Sequence, residues 1–327
     1  MGRLPRLEDV AAAAGVSRQT VSNVINSPGI VRDDTRERVS RAIADLGYRP
    51  HAAARSLRTR RSSTIAIHLD PYAGGISGVV LDRFVHALTD LAGTRGMRVL
   101  LYTARGHENE IARLRELLDG GEADAVVITG TVHDDPRTRW LAARQTPFVA
   151  FGRPWGDDAR HSWVDVDGAA GTREATRWAL ANAGAHVAFL GWPAGSDTGD
   201  DRESGWRSAL AAADGLRLVA EESVGDARDV VAGVLASGDD IDALVCASDS
   251  LAVGAHLAAV AAGRPGLPII GFDNTPAAEA IGLSSVEQLP EKVASAALDL
   301  LLSPSDASSP DGGESRHVLV EPQLVLR

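Results

Sequence analysis

The sequence predicts an all-α N-terminal unit carrying a helix-turn-helix, followed by an α/β body made of two doubly wound lobes. Three observations predict it. Residues 1–61 hold twelve arginines against six acids, a balance of +6, while the whole chain has 33 Lys+Arg against 44 Asp+Glu and a charge of −11, so the remainder carries −17. Within the basic stretch two short helix patterns flank Gly15. From Ser62 onward short apolar runs alternate with amphipathic ones, the pattern of parallel strands joined by helices.

Length and composition bound the classes available. At 327 residues and 44% hydrophobic the chain can bury sizeable cores in two or three compact units. Its single cysteine, Cys246, excludes an internal disulfide and a thiolate metal cluster, which suits a reducing compartment. No stretch reaches 18 uninterrupted apolar residues, and the first residues run into a charged amphipathic segment without a signal-type apolar region. The expectation is a cytoplasmic protein without membrane contact. A basic head on an acidic body points to an anionic polymer bound at one end, the alternative being a solvated surface with an accidental bias.

Leu7 to Ala14 reads as a helix with Glu8 and Asp9 in its first turn, where the helix dipole favours acids, and Gly15 stops it. Ser17 can cap a second helix, in which Val21, Val24 and Ile25 recur at i, i+3, i+4. Its outward face offers Arg18, Gln19, Ser22 and Asn23, side chains suited to base edges and phosphates in a major groove. A third helix is expected over 33–46, capped by Asp33 or Asp34, with Val39, Ala42, Ile43 and Leu46 inward. The stretch from Gly47 to Arg61 then reads either as a basic linker or as a helix starting after Pro50. That helix is too short to be stable unless it folds against DNA or a second subunit.

In the body, strands are expected at 64–69, 98–103, 125–129, 148–151, 163–166, 187–191, 217–224, 243–246, 269–272 and 318–326. Helices are expected at 81–94, 110–118, 169–183, 202–213, 230–236, 251–262 and 291–302, with 303–315 as a mobile surface loop. Two parallel sheets would place a ligand cleft at the carboxyl ends of their strands.

The run from Asp9 to Asn26, DVAAAAGVSRQTVSNVIN, followed by Tyr48-Arg49-Pro50-His51-Ala52-Ala53-Ala54-Arg55-Ser56-Leu57, resembles the LacI/GalR family of bacterial transcription regulators. The resemblance implies that Arg18, Gln19 and Asn23 read bases and that Ser17, Thr20, Ser22 and Asn26 contact phosphates or support the helix. It makes about 51–59 a hinge helix whose Ala54 and Leu57 meet the minor groove. There a leucine from each subunit wedges into the centre of a palindromic operator. His51 departs from the asparagine usual after the proline. The implied organisation is a DNA-binding domain at 1–61 and an effector-binding and dimerisation domain at 62–327, of the periplasmic-binding-protein type.

Three body segments extend the resemblance: Arg202 to Leu210, Ala247 to Ala255 and Gly271 to Asn274. They imply that Arg202 and Asp273 grip a small effector, with Ser248 and Asp249 in contacting positions, although these two read equally well as a plain helix N-cap. An arginine and an acid converging on one cleft suit vicinal hydroxyls, which donate to the carboxylate and accept from the guanidinium. Tyr72, Phe151 and Trp163, with Arg153, Asp165 and Trp192 behind them, lie at or just past strand ends and could touch a ligand or pack the rim. The family's aromatics after the first body strand are replaced here by residues 74–80, GGISGVV, and those after Val224 by 225–228, GDAR. The implied partners are double-stranded DNA, a carbohydrate-like effector and a second copy of the chain, as in a homodimeric repressor.

Motifs of other classes are missing. The chain has no G-x-S-x-G, no phosphate-binding G-x-x-x-x-G-K-[ST], no G-x-G-x-x-G and no H-E-x-x-H, so no catalytic residue, cofactor or metal ligand is expected. The acids at 165, 167, 200 and 201 read as caps or solvated charges. A sugar-transport binding protein would share the body's architecture but would not carry a basic helix-turn-helix.

Overall fold

The computed structural model describes residues 5–48, 62–69, 78–156, 161–210, 215–303 and 316–327. The expected hinge helix with Ala54 and Leu57, and Tyr72, lie outside these residues, as does most of the expected loop at 303–315. The chain divides into two compact units, one within residues 1–62 and the other within 63–327.

In the first unit α1 (Leu7–Ala14) opens with Asp9 accepting the Arg6 amide at 2.7 Å. It closes at Gly15, whose φ of 63° is the left-handed cap that glycine adopts without a Cβ penalty. α2 (Arg18–Asn26) follows, then a 3₁₀ turn at Pro28–Ile30, then α3 (Asp33–Leu46). Val10, Ala11, Ala14, Val21, Val24, Val39 and Ala42 form the core, with Leu7, Ile25, Ile43 and Tyr48 packed around it. Two expectations are corrected. Leu46 is 39% exposed, because the last turn of α3 runs past the small core. Arg32, not an aspartate, is the N-cap residue, and Asp33 and Asp34 lie inside the first turn.

The second unit holds two six-stranded sheets. β1 (Thr64–His68), α4 (Val79–Thr94), β2 (Arg98–Tyr102), α5 (His107–Asp119), β3 (Ala125–Thr129), α6 (Pro136–Ala143), β4 (Phe148–Phe151) and β5 (Trp163–Val166) build most of the first lobe. The chain then crosses into α7 (Gly168–Asn182), β6 (Val187–Gly191), α8 (Thr198–Leu210), β7 (Arg217–Val219), α9 (Val224–Ser237), β8 (Ala243–Cys246), α10 (Asp249–Ala261), β9 (Ile269–Phe272), α11 (Pro276–Ala280) and β10 (Ser284–Glu287). It returns to the first lobe as α12 (Pro290–Leu302) and β11 (His317–Val320), and crosses once more into β12 (Gln323–Val325). The strand orders are β11-β5-β4-β3-β1-β2 and β12-β10-β9-β8-β6-β7. All pairs are parallel except β10 with β12.

Strands buried on both faces explain the near-continuous apolar runs at β1, β3 and β6. Ile65, Ile67, Phe84, Leu88 and Val127 centre one core, Phe189, Leu190, Val245 and Trp206 the other. The Trp206 indole satisfies itself by donating to the Val187 carbonyl at 3.0 Å. Two expected strands are shorter than the apolar pattern suggested. Residues 220–224 leave the sheet, where the Ser223 hydroxyl caps α9. The stretch 318–326 breaks at Glu321-Pro322 into two strands that belong to different sheets.

A buried ionic cluster fixes the loop that follows β3. Arg137, only 2% exposed, donates to Glu110 at 2.9 Å, to Asp135 at 2.6 Å and to the Gly130 carbonyl at 3.0 Å. Tyr102 donates to the other Glu110 oxygen at 3.1 Å. Burial alone would raise Asp135, but the hydrogen bonds and charge of Arg137 hold its carboxyl below the usual range.

Candidate functional site

In the first unit the sequence sets both ends of α2. Ser17 Oγ accepts the Thr20 amide at 3.1 Å and lies 2.9 Å from Thr20 Oγ1, starting the helix. Val21 and Val24 are buried, so Arg18, Gln19 and Asn26 are left exposed and Ser22 and Asn23 half-exposed. Gln19 Nε2 donates to Asn23 Oδ1 at 3.0 Å, joining the two amides on successive turns into one polar surface. Asn26 donates to the Ser22 carbonyl at 2.7 Å. Arg18 pairs with Glu8 of α1 at 3.2 Å, both side chains at least half exposed, a contact a nucleic acid can replace at little cost.

In the second unit the carboxyl ends of the two sheets face a cavity of about 240 Å³. Arg202, on α8, reaches its floor. The side chain is 7% exposed, donates to the Ala247 carbonyl at 2.5 Å and lies 3.8 Å from Asp273 Oδ1. Its guanidinium sits 3.7 Å from the centre of the Phe272 ring, and its buried Nε has no hydrogen-bond partner among the described residues. A buried guanidinium beside an acid at the edge of a cavity is a charge-assisted donor for a polar ligand.

Asp273 follows β9 with φ at 114°, a backbone state that L residues adopt only when their surroundings impose it. Gln288 Nε2 donates to Asp273 Oδ1 at 2.6 Å. Burial, with smaller contributions from the Asp249 and Glu222 charges, pushes the Asp273 carboxyl up to about 7 against the opposing pull of Arg202 and Gln288.

Asp165 and Asp201 also line the cavity, and Arg153 bridges them. Arg153 Nε donates to Asp165 at 2.7 Å and its Nη2 to the Val166 carbonyl at 2.9 Å. Its Nη1 reaches Asp201, across the cleft on α8, at 3.2 Å. Asp201 also accepts the Ala169 amide at 3.0 Å, so one carboxylate links the first lobe to the start of α7. Burial raises Asp201, and Arg153 opposes that rise.

Of the effector candidates, Arg202 and Phe151 line this cavity, and Asp273 is joined to it through Gln288, which does line it. Phe151 packs on Phe84 with ring centres 4.7 Å apart. Ser248 is 1% exposed; its hydroxyl caps α10 and donates to Glu222 at 2.8 Å. Glu222 in turn holds the Trp192 indole at 2.6 Å. Asp249 stands behind the site. Its oxygens accept from Thr275 N and Oγ1 and from Ser285 Oγ at 2.6–2.7 Å, which ties together the segments after β9 and at β10. Trp163 is a correction to the candidate set. It begins β5, at the end of the strand away from the cavity, and stacks on His317 with centroids 4.8 Å apart. Trp155, Gln288 and Glu222 were not foreseen. Only the positive charge and burial of Arg202 could have demanded acids nearby, and that demand does not name Glu222.

The comparisons with known proteins agree with this geometry. The family described as "Bacterial regulatory proteins, lacI family" matches residues 6–51. The family described as "Periplasmic binding proteins and sugar binding domain of LacI family" matches residues 81–289. HTH-type transcriptional regulator CelR of Thermobifida fusca is 34% identical over 350 aligned residues, covering 99% of this chain and 98% of that protein. HTH-type transcriptional repressor PurR of Erwinia tasmaniensis is 28% identical, covering 98% and 95%. A solved structure titled as a CelR–cellobiose complex superposes with a TM-score of 0.68 at 29% identity over 99% of both chains. A lac repressor dimer bound to operator and the anti-inducer ONPF shares the fold, with a TM-score of 0.81 at 24% identity over 99% and 98%. A helix-turn-helix head and a two-lobed α/β body with a charged cleft therefore stand in one chain, which belongs to the LacI family of HTH-type transcriptional regulators.

Proposed function

We propose that the protein is a homodimeric repressor that reads a palindromic operator and whose DNA affinity is set by a sugar or sugar derivative in the cleft of the body. The observation that carries the effector half is the convergence of Arg202 and the Gln288–Asp273 pair on one cavity walled by Phe151 and Phe272. A carboxylate and a guanidinium side by side suit adjacent hydroxyls, and apolar rings suit the C–H face of a pyranose. The cellobiose named for the CelR complex supports the same ligand class.

On the DNA side, Arg18, Gln19 and Asn23 read bases, while Ser17, Thr20, Ser22 and Asn26 hold phosphates or the helix itself. Ala54 and Leu57 engage the minor groove. The +6 head draws DNA and the −17 body repels it, so the duplex is held at one end of the chain. In this reading the protein acts by binding rather than catalysis, in the cytoplasm where its operator is. Among the described residues no helix is long and apolar enough to cross a membrane. Effector binding changes the angle between the lobes and thereby the operator affinity.

The test is selection of bound duplexes from a random pool with full-length protein at fixed salt, with and without a sugar mixture. A recovered palindrome whose enrichment changes with sugar supports the reading. Recovery of sequence-independent binding under both conditions sinks it.

A further inference from the structure

We propose that His186, Asp240 and Asp242 form a binding site for a divalent transition-metal ion of the zinc type, at the end of the second lobe away from the effector cavity. The proposal stands apart from the sugar reading above.

The strands dictate the placement. β6 and β8 are parallel neighbours with Val187 opposite Ala243, so the residues just before them, His186 and Asp242, stand side by side at the amino edge of the sheet. Two bonds clasp them. The Asp242 amide donates to the His186 carbonyl at 2.9 Å, and the His186 amide donates to Asp242 Oδ2 at 2.9 Å. The Asp242 carboxyl also packs against Gly184, whose φ of 153° and missing Cβ make the room. Ile241, between the two acids in sequence, is buried, and its carbonyl accepts from Arg264 at 2.6 Å, which fixes the turn that presents Asp240. The effector cavity lies past the opposite, carboxyl ends of the strands.

The three donors have the spacing of a coordination sphere. His186 Nδ1 lies 3.1 Å from Asp240 Oδ2 and 3.5 Å from Asp242 Oδ2, and all three ligand atoms fall within 4.8 Å of one another. Ligands bonded to zinc at about 2.0–2.1 Å stand about 3.3 Å apart at tetrahedral angles, so both measured edges fit around one ion. The electrostatics agree. Among the described residues the ion pairs of Asp240 and Asp242 are with this imidazole and with no arginine or lysine. One imidazole brings a single positive charge at most against two negative ones, whereas a divalent ion on the neutral ring balances both carboxylates. A ring nitrogen with two carboxylate oxygens suits zinc and its transition-metal neighbours better than magnesium or calcium, which take oxygen ligands. The amide bond to Asp242 Oδ2 is the kind of outer support that orients a ligating carboxylate. The side chains of His186 and Asp240 are 59% and 79% exposed, so the ion has an open approach and its remaining positions go to water. Once bound, it staples the turn after α7 to the turn after α9.

The experiment is titration calorimetry of full-length, tag-free protein, freed of metal by a chelator, with zinc chloride and separately with magnesium chloride. The variants are His186→Ala, Asp240→Asn and, as a control, His86→Ala, whose exposed imidazole has one acid beside it at 3.6 Å. One zinc ion per chain is expected, in the micromolar range, with magnesium about a hundredfold weaker or more. His186→Ala and Asp240→Asn should each weaken zinc binding by about tenfold or more, and His86→Ala should leave it unchanged. Both substituted side chains are exposed, so metal-free melts should match the wild type, and zinc should raise the melting temperature of the wild type but not of His186→Ala. No zinc binding overturns the proposal, as does zinc binding that survives both His186→Ala and Asp240→Asn. Magnesium binding as tightly as zinc also overturns it, since that would mark a diffuse acidic surface without a part for the imidazole.

Discussion

Gln288 donates to Asp273 at 2.6 Å, joining the segment that carries the chain from β10 to α12 to the strand end that carries the acid. One residue away on each side the contact is repeated, with Asn274 Nδ2 donating to Glu287 at 2.9 Å. Glu287 is in turn held by Arg83 of α4 at 3.0 Å. The acid at the site is therefore bonded directly to one of the chain segments that connect the two lobes.

Effector affinity should depend on pH through Asp273. With its carboxyl pushed up to about 7, the fraction able to accept from sugar hydroxyls grows as pH rises through 7, so affinity should rise between pH 6 and pH 8 and level off above. The same shift acts on stability with the opposite sense. Between the ordinary carboxylate value of about 4 and 7 the folded chain holds the extra proton, so the Asp273 contribution is full below that window and is lost as pH rises through it. Asp273→Asn should flatten both curves in this range, in calorimetric titrations and in melts taken at several pH values. Unchanged slopes would remove Asp273 from the site.

Arg202→Ala should lower effector affinity by about tenfold to a hundredfold, the loss of a charge-assisted hydrogen bond, while operator affinity without effector stays near wild type. Fluorescence anisotropy of labelled operator reads both quantities. Arg202→Lys should not rescue, since an ammonium cannot span the Ala247 carbonyl, the Phe272 face and a ligand together.

In the head, Asn23→Ala removes one of the side chains proposed to read bases and also frees Gln19 from its 3.0 Å bond. Affinity for the selected operator should fall by about 1–3 kcal/mol per altered base contact, with specificity relaxed at those positions and the salt dependence nearly unchanged. Leu57→Ala should weaken operator binding and reduce DNA bending in a circular-permutation gel assay while the melting temperature holds.

Arg137→Met leaves Glu110 and Asp135 buried without their cation and should cost about 3–5 kcal/mol, read from urea unfolding. Because Arg137 holds Asp135 below the usual carboxylate range, that pair stabilises the wild type above the ordinary value, and its contribution is lost as pH falls through the lowered one. The variant should show a weaker decline of stability as pH falls below the ordinary carboxylate value of about 4.

The parts of the fold written in apolar periodicity were legible. β3, β4, β5, β6, β8 and β9 and the helices α1, α2 and α3 follow from runs of Val, Ile, Leu and Phe and from caps such as Ser17. β10 was not, because its sequence is Ser-Ser-Val-Glu: all four residues are buried, the polar ones made tolerable by partners such as Asp249 and Arg83 that a linear reading cannot see. α6, with no clear amphipathic stripe, was missed for a similar reason, since its buried face includes Arg137. At the cleft, Arg202 and Asp273 were visible through motif resemblance. Trp155, Glu222 and Gln288 enter through loop geometry and pairing partners, which carry no local signature.

The three crossings between the lobes lie side by side. Val166 pairs with Val320 and Glu287 with Gln323, so the connections at 166–168, 287–290 and 320–323 form a row of short tethers. Neither lobe is a continuous piece of chain, and a single proteolytic nick cannot release one. Three tethers side by side oppose sliding of one lobe past the other more than rotation about their row, so in the proposed function an effector held at Asp273 would be read out as a change of angle.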